Sequence, residues 1–498
     1  MMPYLVWKHS GKNRYLVMRW KRRVNGVPTI VKEVSIGSVD NLARIVDGDL
    51  TGIDLASYSF GTTASVLAMD MEMGLKDAVN AEIGHHDNGL SPGDYVLIFI
   101  MNRLSDPGSK SHIQEWMVND FSSTLYHPVT AQGFWNVMDR FTDDNMKRIR
   151  EKMRDRLISL GYDDSRLFVD GSNLYTYMEE NGMAKRGHNK AHRYDLNQIS
   201  YYIAANYDYI PFAGDSYPGN IPDVKTFDMI IENTPEDAIL IFDRGYNSAT
   251  NIKKTGERKY LGALIQSDHM DLMAIPLEKD SFTETRKFVY GRDHRIIIYH
   301  SSKLEKRRII SFMKKFQKVY MKVRMITESG DSDAMQKAGF YLEMEKLNET
   351  IILPSLKING ERMHQRLSML GKNALFTNIE DLKAEELIDL YRKRNRVEHC
   401  FRIISMKDLA SPVYHWTPQK IKVHMFFSYL AYMFLALLYN RIRSWIPTVS
   451  LISAMDTLDR IRIVYAARGS KAVKRIDAKS PEALIVAENM KLLDLAKP

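Results

Sequence analysis

Three acidic positions stand out because of their neighbours. Glu398 lies in the stretch 381–407, whose charges recur at a helical period. At about 100° per residue, Tyr391, Arg394, Glu398 and Arg402 fall within roughly one quadrant, beside an apolar stripe of Leu387, Leu390, Val397 and Phe401. Asp170 and Asp243 each follow a short apolar run, Leu167–Val169 and Ala238–Phe242, and Gly171 and Gly245 come close behind them. Taken singly, each has a second reading: a strand-end Asp serves as a turn starter or helix cap, and Glu398 with Arg402 is an ordinary (i, i+4) surface pair. Taken together, three carboxylates without a His or Cys ligand suit a hard, oxygen-liganded cation such as magnesium, which keeps open positions for water. Without a cation they would repel one another.

The elements that must position these groups read as follows. Leu167–Val169 and Ala238–Phe242 have the composition of buried strands, and Ile199–Ala205 and Ile210–Ser216 read as two more. A turn at Pro218–Asn220, a helix from Pro222, a helix from Ser248 and a strand over Lys259–Ile265 complete a mixed α/β unit. If the two Asp-terminated strands are neighbours, both carboxylates share one rim. Between Asp268 and Gly371 lies an insertion too long for a simple loop. It holds a hairpin (Arg286–Tyr290, Arg295–Tyr299) and a strongly basic helix over Lys303–Arg324. The unit resumes at Ala374–Thr377 and closes with an apolar helix from Ile421.

Upstream, residues 1–40 read as a meander of strands Tyr4–His9, Tyr15–Arg22 and Thr29–Ile36 with an Asn25-Gly26 turn. Its cations, interleaved with Trp7 and Trp20, fit a nucleic-acid backbone and equally a solvated sheet with charged edges. Residues 62–160 are helical, with starts at Ser91-Pro92, Asp106-Pro107 and Thr142. DNA binding and a packing or dimerisation role both remain open there. The tail after Trp445 reads as helical. The boundaries are therefore 1–50 for the basic meander, 51–161 for the helical unit, 162–268 with 372–445 for the α/β unit, 269–371 for the inserted subdomain and 446–498 for the tail.

The 498 residues exceed one ordinary core, and a formal charge of +9, clustered rather than spread, favours a polyanionic partner. The single cysteine, Cys400, rules out an internal disulfide framework and fits a reducing cytoplasm. The first residues lack the apolar run and cleavage site of a signal peptide. Val423–Tyr439 nearly reaches spanning length, but His424 and Ser428 interrupt it, so a buried helix is expected and no membrane role. Lys185, Arg186, His188, Lys190, His192 and Arg193 put six potential cations in nine positions. His188 and His192 admit a metal pair; the charge pattern favours a phosphate-gripping loop. His415 and Trp416 admit either stacking on an unpaired base or a staple at the entry of the following helix.

Asp170, Asp243 and Glu398, in this order with an insertion before the last, resemble the DDE transposases of bacterial and archaeal insertion sequences. Tyr391-x-x-Arg394-x-x-x-Glu398 is similar to the signature of the IS-four superfamily. KRGHNKAHRYDLNQ (Lys185–Gln198), YPGNIPDVKT (Tyr217–Thr226), FDRGY (Phe242–Tyr246) and SPVYHW (Ser411–Trp416) resemble its subgroup with a basic segment after the first Asp. The resemblance implies an α/β fold with an RNase H-like catalytic domain interrupted by the inserted subdomain. It implies cleavage of DNA at element ends and strand transfer into a target, with two Mg2+ ions per active site and Mn2+ as substitute. Asp170 would bridge the ions, and Asp243 and Glu398 would complete one site each. Tyr391, Arg394, Arg402, Trp416 and the cations between Lys185 and Arg193 would contact DNA. A homodimer on DNA and a cytoplasmic, nucleoid-associated location follow. One departure matters: the family Lys seven residues after the Glu is here Ser405. Lys407 lies nearly opposite on the helix, so Arg402 is assigned that phosphate contact. A transposase-derived DNA-binding protein with impaired catalysis and an RNase H-like nuclease without strand transfer are the alternatives.

Overall fold

The structure, a computed structural model, describes residues 3–10, 13–24, 27–38, 54–84, 89–187, 195–329, 351–352, 357–358, 360–394, 409–468 and 471–495. The N-terminal strands form as expected from their alternation: β1 (Pro3–Ser10), β2 (Asn13–Val24) and β3 (Val27–Ser38) make an antiparallel sheet with irregularities at Leu16/Val17 and Trp20/Lys21. After β4 (Asp54–Ser59) come helices whose starts are chemically marked. Ser91 and Asp94 form a reciprocal capping box ahead of Pro92–Ser105, as Thr142 and Asn145 do ahead of Asp143–Ser159.

An eight-stranded sheet forms the centre. Its strands are β5 (Arg166–Thr176), β6 (Asn197–Ala205), β7 (Pro211–Pro218), β8 (Ile239–Phe242), β9 (Tyr260–Ala263), β10 (Phe282–Val289), β11 (Arg292–His300) and β14 (Lys372–Thr377). Between the last two, β12 (Ile351–Ile352) and β13 (Lys357–Ile358) form a separate pair. The order across the sheet is β10-β11-β14-β9-β8-β5-β6-β7; β5 with β8 and β8 with β9 run parallel, and the remaining neighbours are antiparallel.

Two local readings are corrected here. Leu167–Val169 is not a strand that stops at Asp170: β5 continues to Thr176, because β6 offers it an antiparallel partner from Gly171↔Tyr202 to Thr176↔Asn197. Tertiary pairing thus overrides the turn preference of Gly171-Ser172-Asn173. The segment after Trp445 is not wholly helical. Between helices Leu451–Asp459 and Pro481–Asn489, β15 (Ile461–Arg468) and β16 (Lys471–Ala478) form a hairpin, and β15 pairs with β4. Ile461 and Ile463 are buried on one side of β15, the period-2 signature of a strand. The hairpin expected inside 269–371 forms as β10–β11 and joins the central sheet through β14.

The core is organised by one helix, Pro418–Trp445, capped by Thr417. It packs on β7 and against Pro92–Ser105, tying the helical region to the sheet. Its length and apolar composition would let it cross a membrane, yet 94% of its most apolar window is buried inside the protein. Phe427, fully buried, meets Phe99 and Phe141 edge-on at ring-centroid separations of 5.5 and 5.1 Å. Truncating such a ring removes its transfer energy and leaves a cavity. Phe427→Ala is therefore expected to destabilise the protein by about 3–5 kcal/mol in urea unfolding. A loss below about 1 kcal/mol would mean that this helix is not the centre of the core.

Candidate functional site

Parallel pairing sets Asp170 beside Asp243. Val169 on β5 lies opposite Phe242 on β8, so the next residue of each chain is an aspartate at the carboxyl end of β8. Asp170 is buried, at 5% exposure, and its Oδ1 accepts the Gly171 N–H at 2.9 Å. Asp243 caps the 3-10 turn Arg244–Tyr246, and its Oδ1 accepts the Gly245 N–H at 2.7 Å. These backbone donors fix both carboxylates locally. Among the described residues no three His, Cys, Asp or Glu side chains gather to hold a metal ion. Glu398 lies outside the described residues, as do Arg402, Ser405 and Lys407.

The helix expected over 381–407 is described as Ala384–Lys393, with Leu387 and Leu390 buried against the sheet. It delivers Arg394 to the aspartates, its Nη1 3.8 Å from Asp170 Oδ2. Tyr391 lies under the Arg394 guanidinium at 5.7 Å, and burial raises its phenol pKa first, with Asp243 adding to the shift. Both side chains line a cleft of about 770 Å³ that reaches Asp243.

Arg244, Lys303, Arg307, Arg308, Arg392 and Arg394 all line that cleft. Arg244 and Arg308 converge on Asn373 Oδ1 at 3.3 and 3.2 Å. Desolvation, then repulsion from Arg244, lowers the pKa of Arg308. Guanidiniums gathered this way favour an anion, and their spread along a cleft suits a polyanion. Of this set, the sequence alone assigns a DNA contact to Arg394 by name. The basic helix 302–329 was a signal for Lys303, Arg307 and Arg308, whereas Arg244 and Arg392 were hidden inside motifs read for other residues.

The basic loop is described only at its start. Lys185 makes a two-way backbone bridge with Gln198, and Arg186 is exposed. His188, Lys190, His192 and Arg193 lie outside the described residues. Beyond Asp170, on β5, a recess of about 310 Å³ is lined by polar groups, among them Ser172, Asn173, Ser200, Asn220 and the carboxylate of Asp223.

Trp416 is 89% exposed, so it does not staple the following helix. Its loop is tied to the Asp170 strand: Thr176 Oγ1 donates to the Val413 carbonyl at 3.1 Å. Below it, buried Lys110 lies 3.0 Å from His415 Nε2 and also contacts His424 Nδ1. His424 Nε2 lies 2.8 Å from the Ala410 carbonyl, which only accepts, so Nε2 carries the proton and Nδ1 accepts from Lys110. Burial, then the charge of Lys110, pushes His415 down to about 3 and His424 well below its ordinary value.

The comparisons agree with this geometry. Residues 161–434, from just before β5 into the long core helix, match the family model described as a transposase DDE domain. No curated protein matches the chain.

The buried histidines generate a pH dependence. Below the ordinary histidine value near 6.5, the unfolded chain takes up protons that folded His415 refuses until about pH 3. Their contribution to stability is thus present above pH 6.5 and is lost as the pH falls through that window. The urea midpoint should fall between pH 7.5 and 5, and the drop should be smaller in His415→Gln. Identical pH slopes in the two proteins would contradict a neutral buried His415.

Proposed function

The chain belongs to the transposase DDE domain family, and from that premise we propose that Asp170, Asp243 and Glu398 form a metal-dependent centre. It would cleave DNA at insertion-sequence ends and join the freed 3′-hydroxyl to target DNA. The carrying observation is the β5–β8 register that sets Asp170 beside Asp243 at the mouth of a cationic cleft. Three antiparallel strands followed by two parallel ones, β7-β6-β5-β8-β9, support reading the unit as RNase H-like. Glu398 follows Arg394 by four residues at no more than about 3.5 Å each, and Arg394 already meets Asp170, so the third carboxylate is within reach.

The residues fit a hard divalent cation: two aspartates supply oxygen donors side by side at the ends of neighbouring strands. Asp170, Asp243 and Glu398 would hold Mg2+, with Mn2+ as substitute. Bound there, such ions would supply Lewis-acid stabilisation of the attacking and leaving oxygens in a displacement at phosphorus. The chain's own side chains do the rest. Gly171 and Gly245 N–H groups orient the carboxylates, and Arg394 offsets the charge of Asp170. Arg244, Lys303, Arg307 and Arg392 would grip successive phosphates along the cleft. The basic loop from Lys185 and the exposed Trp416 would hold DNA on the other side, Trp416 by stacking on a base. No protein nucleophile is needed, and a homodimer would join the two element ends.

Asp170→Asn removes one ligand from the chemistry but none of the cationic cleft. Mg2+-dependent cleavage of an element-end duplex should fall at least about 100-fold, more than about 2.7 kcal/mol of barrier. Binding of the same duplex, which rests on phosphate contacts, should change little. Loss of binding in step with cleavage would contradict the assignment. Cleavage without joining would identify a nuclease of the same fold.

A further inference from the structure

Beside the aspartate pair a further carboxylate closes in. Asp223 opens the short 3-10 turn Asp223–Thr226, and its Oδ1 accepts the Tyr217 hydroxyl at 2.8 Å. No ion pair joins it to a cation among the described residues, so its charge is left for something else.

Two glycines show where that charge points. A Cβ on Gly171 would stand 2.9 Å from Asp223 Oδ1 and 3.1 Å from the Tyr246 hydroxyl. A Cβ on Gly245 would stand 3.0 Å from Asp243 Oδ1 and 4.0 Å from Asp223 Oδ2. Both glycines belong to the motifs that carry the aspartates, and a side chain at either would collide with these oxygens, so the glycines let Asp223 and Tyr246 close in on the aspartate pair. Gly171, Asp223 and Gly245 also line the polar recess, which opens this group of side chains to solvent.

Tyr246 is the second observation. It is fully buried, and its hydroxyl has no hydrogen-bond partner among the described residues. A buried hydroxyl is costly to leave unpaired, so this one calls for an acceptor beside it. Burial first, then Tyr217, Asp223, Asp170 and Asp243, keep the phenol protonated and therefore a donor.

We propose that Asp223, held by Tyr217 and faced by Tyr246, is a positioning residue of the metal centre. Its carboxylate and the Tyr246 hydroxyl would orient a water of the cation's hydration shell. The proposal rests on the reading that Asp170 and Asp243 hold a divalent cation. It does not make Asp223 a direct ligand, in line with the absence of a three-ligand cluster among the described residues. Groups that orient what a metal binds typically change its affinity 10–100-fold when removed.

The test is a Mn2+ titration of the full chain followed by electron paramagnetic resonance, with the melting temperature of each variant measured without metal. Asp223→Asn should weaken Mn2+ binding about 10–100-fold. Tyr246→Phe and Tyr217→Phe, which keep their volume, should weaken it several-fold. Wild-type affinity in Asp223→Asn, with Mn2+ binding lost in Asp170→Asn, overturns the proposal and leaves the metal centre standing. Equal Mn2+ binding by wild type and Asp170→Asn overturns the metal centre itself. Should Asp223→Asn fail to fold, the two Phe variants decide, and unchanged affinity in both refutes the proposal.

Discussion

The parallel register of β5 on β8 is the constraint on which the site depends. Pairing Val169 with Phe242 puts two aspartates on one level of neighbouring strands. Strands in a ladder stand about 4.8 Å apart, so a one-residue slip would send one side chain to the opposite face. Both strands are buried and apolar up to that level, which pins the register; the aspartates come where the apolar run ends. Two like charges at this spacing oppose each other, and the fold answers with backbone N–H donors to each and with Arg394 beside Asp170.

Around this pair the charge is unevenly divided. One opening beside it is a cleft whose wall carries six guanidinium or ammonium groups; another is a polar recess whose one charged wall residue, among those described, is Asp223. The long helix Pro418–Trp445 makes the arrangement rigid, because it packs on β7 and on the helical region at once. Trp416 sits on the loop leading into that helix, anchored through Lys110 and His415 to the helical region and through Thr176 to β5.

The legible parts of this architecture are those written locally. Short apolar runs ending in Asp announced β5 and β8, caps such as Ser91 and Thr142 announced helix starts, and alternation announced β1 to β3. Illegible were the features made by partners distant in sequence. Gly171-Ser172-Asn173 reads as a turn until β6 supplies hydrogen bonds; Ile461–Arg468 reads as tail until β4 pairs with it. Lys110 and His415 are 305 residues apart, and no pattern at either end foretells their contact. Asp223 reads as part of a helix from Pro222, and only its closeness to Gly171 and Gly245 gives it another meaning. Glu398 and the basic loop beyond Gly187 lie outside the described residues, so their part in the site rests on the motif and on chain reach.

The central claim, that Asp170 and Asp243 share a divalent cation with Glu398, is tested most directly by letting the ion report its own position. Fe2+ in place of Mg2+, with ascorbate and peroxide, generates hydroxyl radicals at the bound ion, and these cut the polypeptide next to it. The account predicts cuts near residues 170, 243 and 394–398, all suppressed by excess Mg2+. Cuts confined to other segments, or cuts that Mg2+ does not suppress, would contradict it.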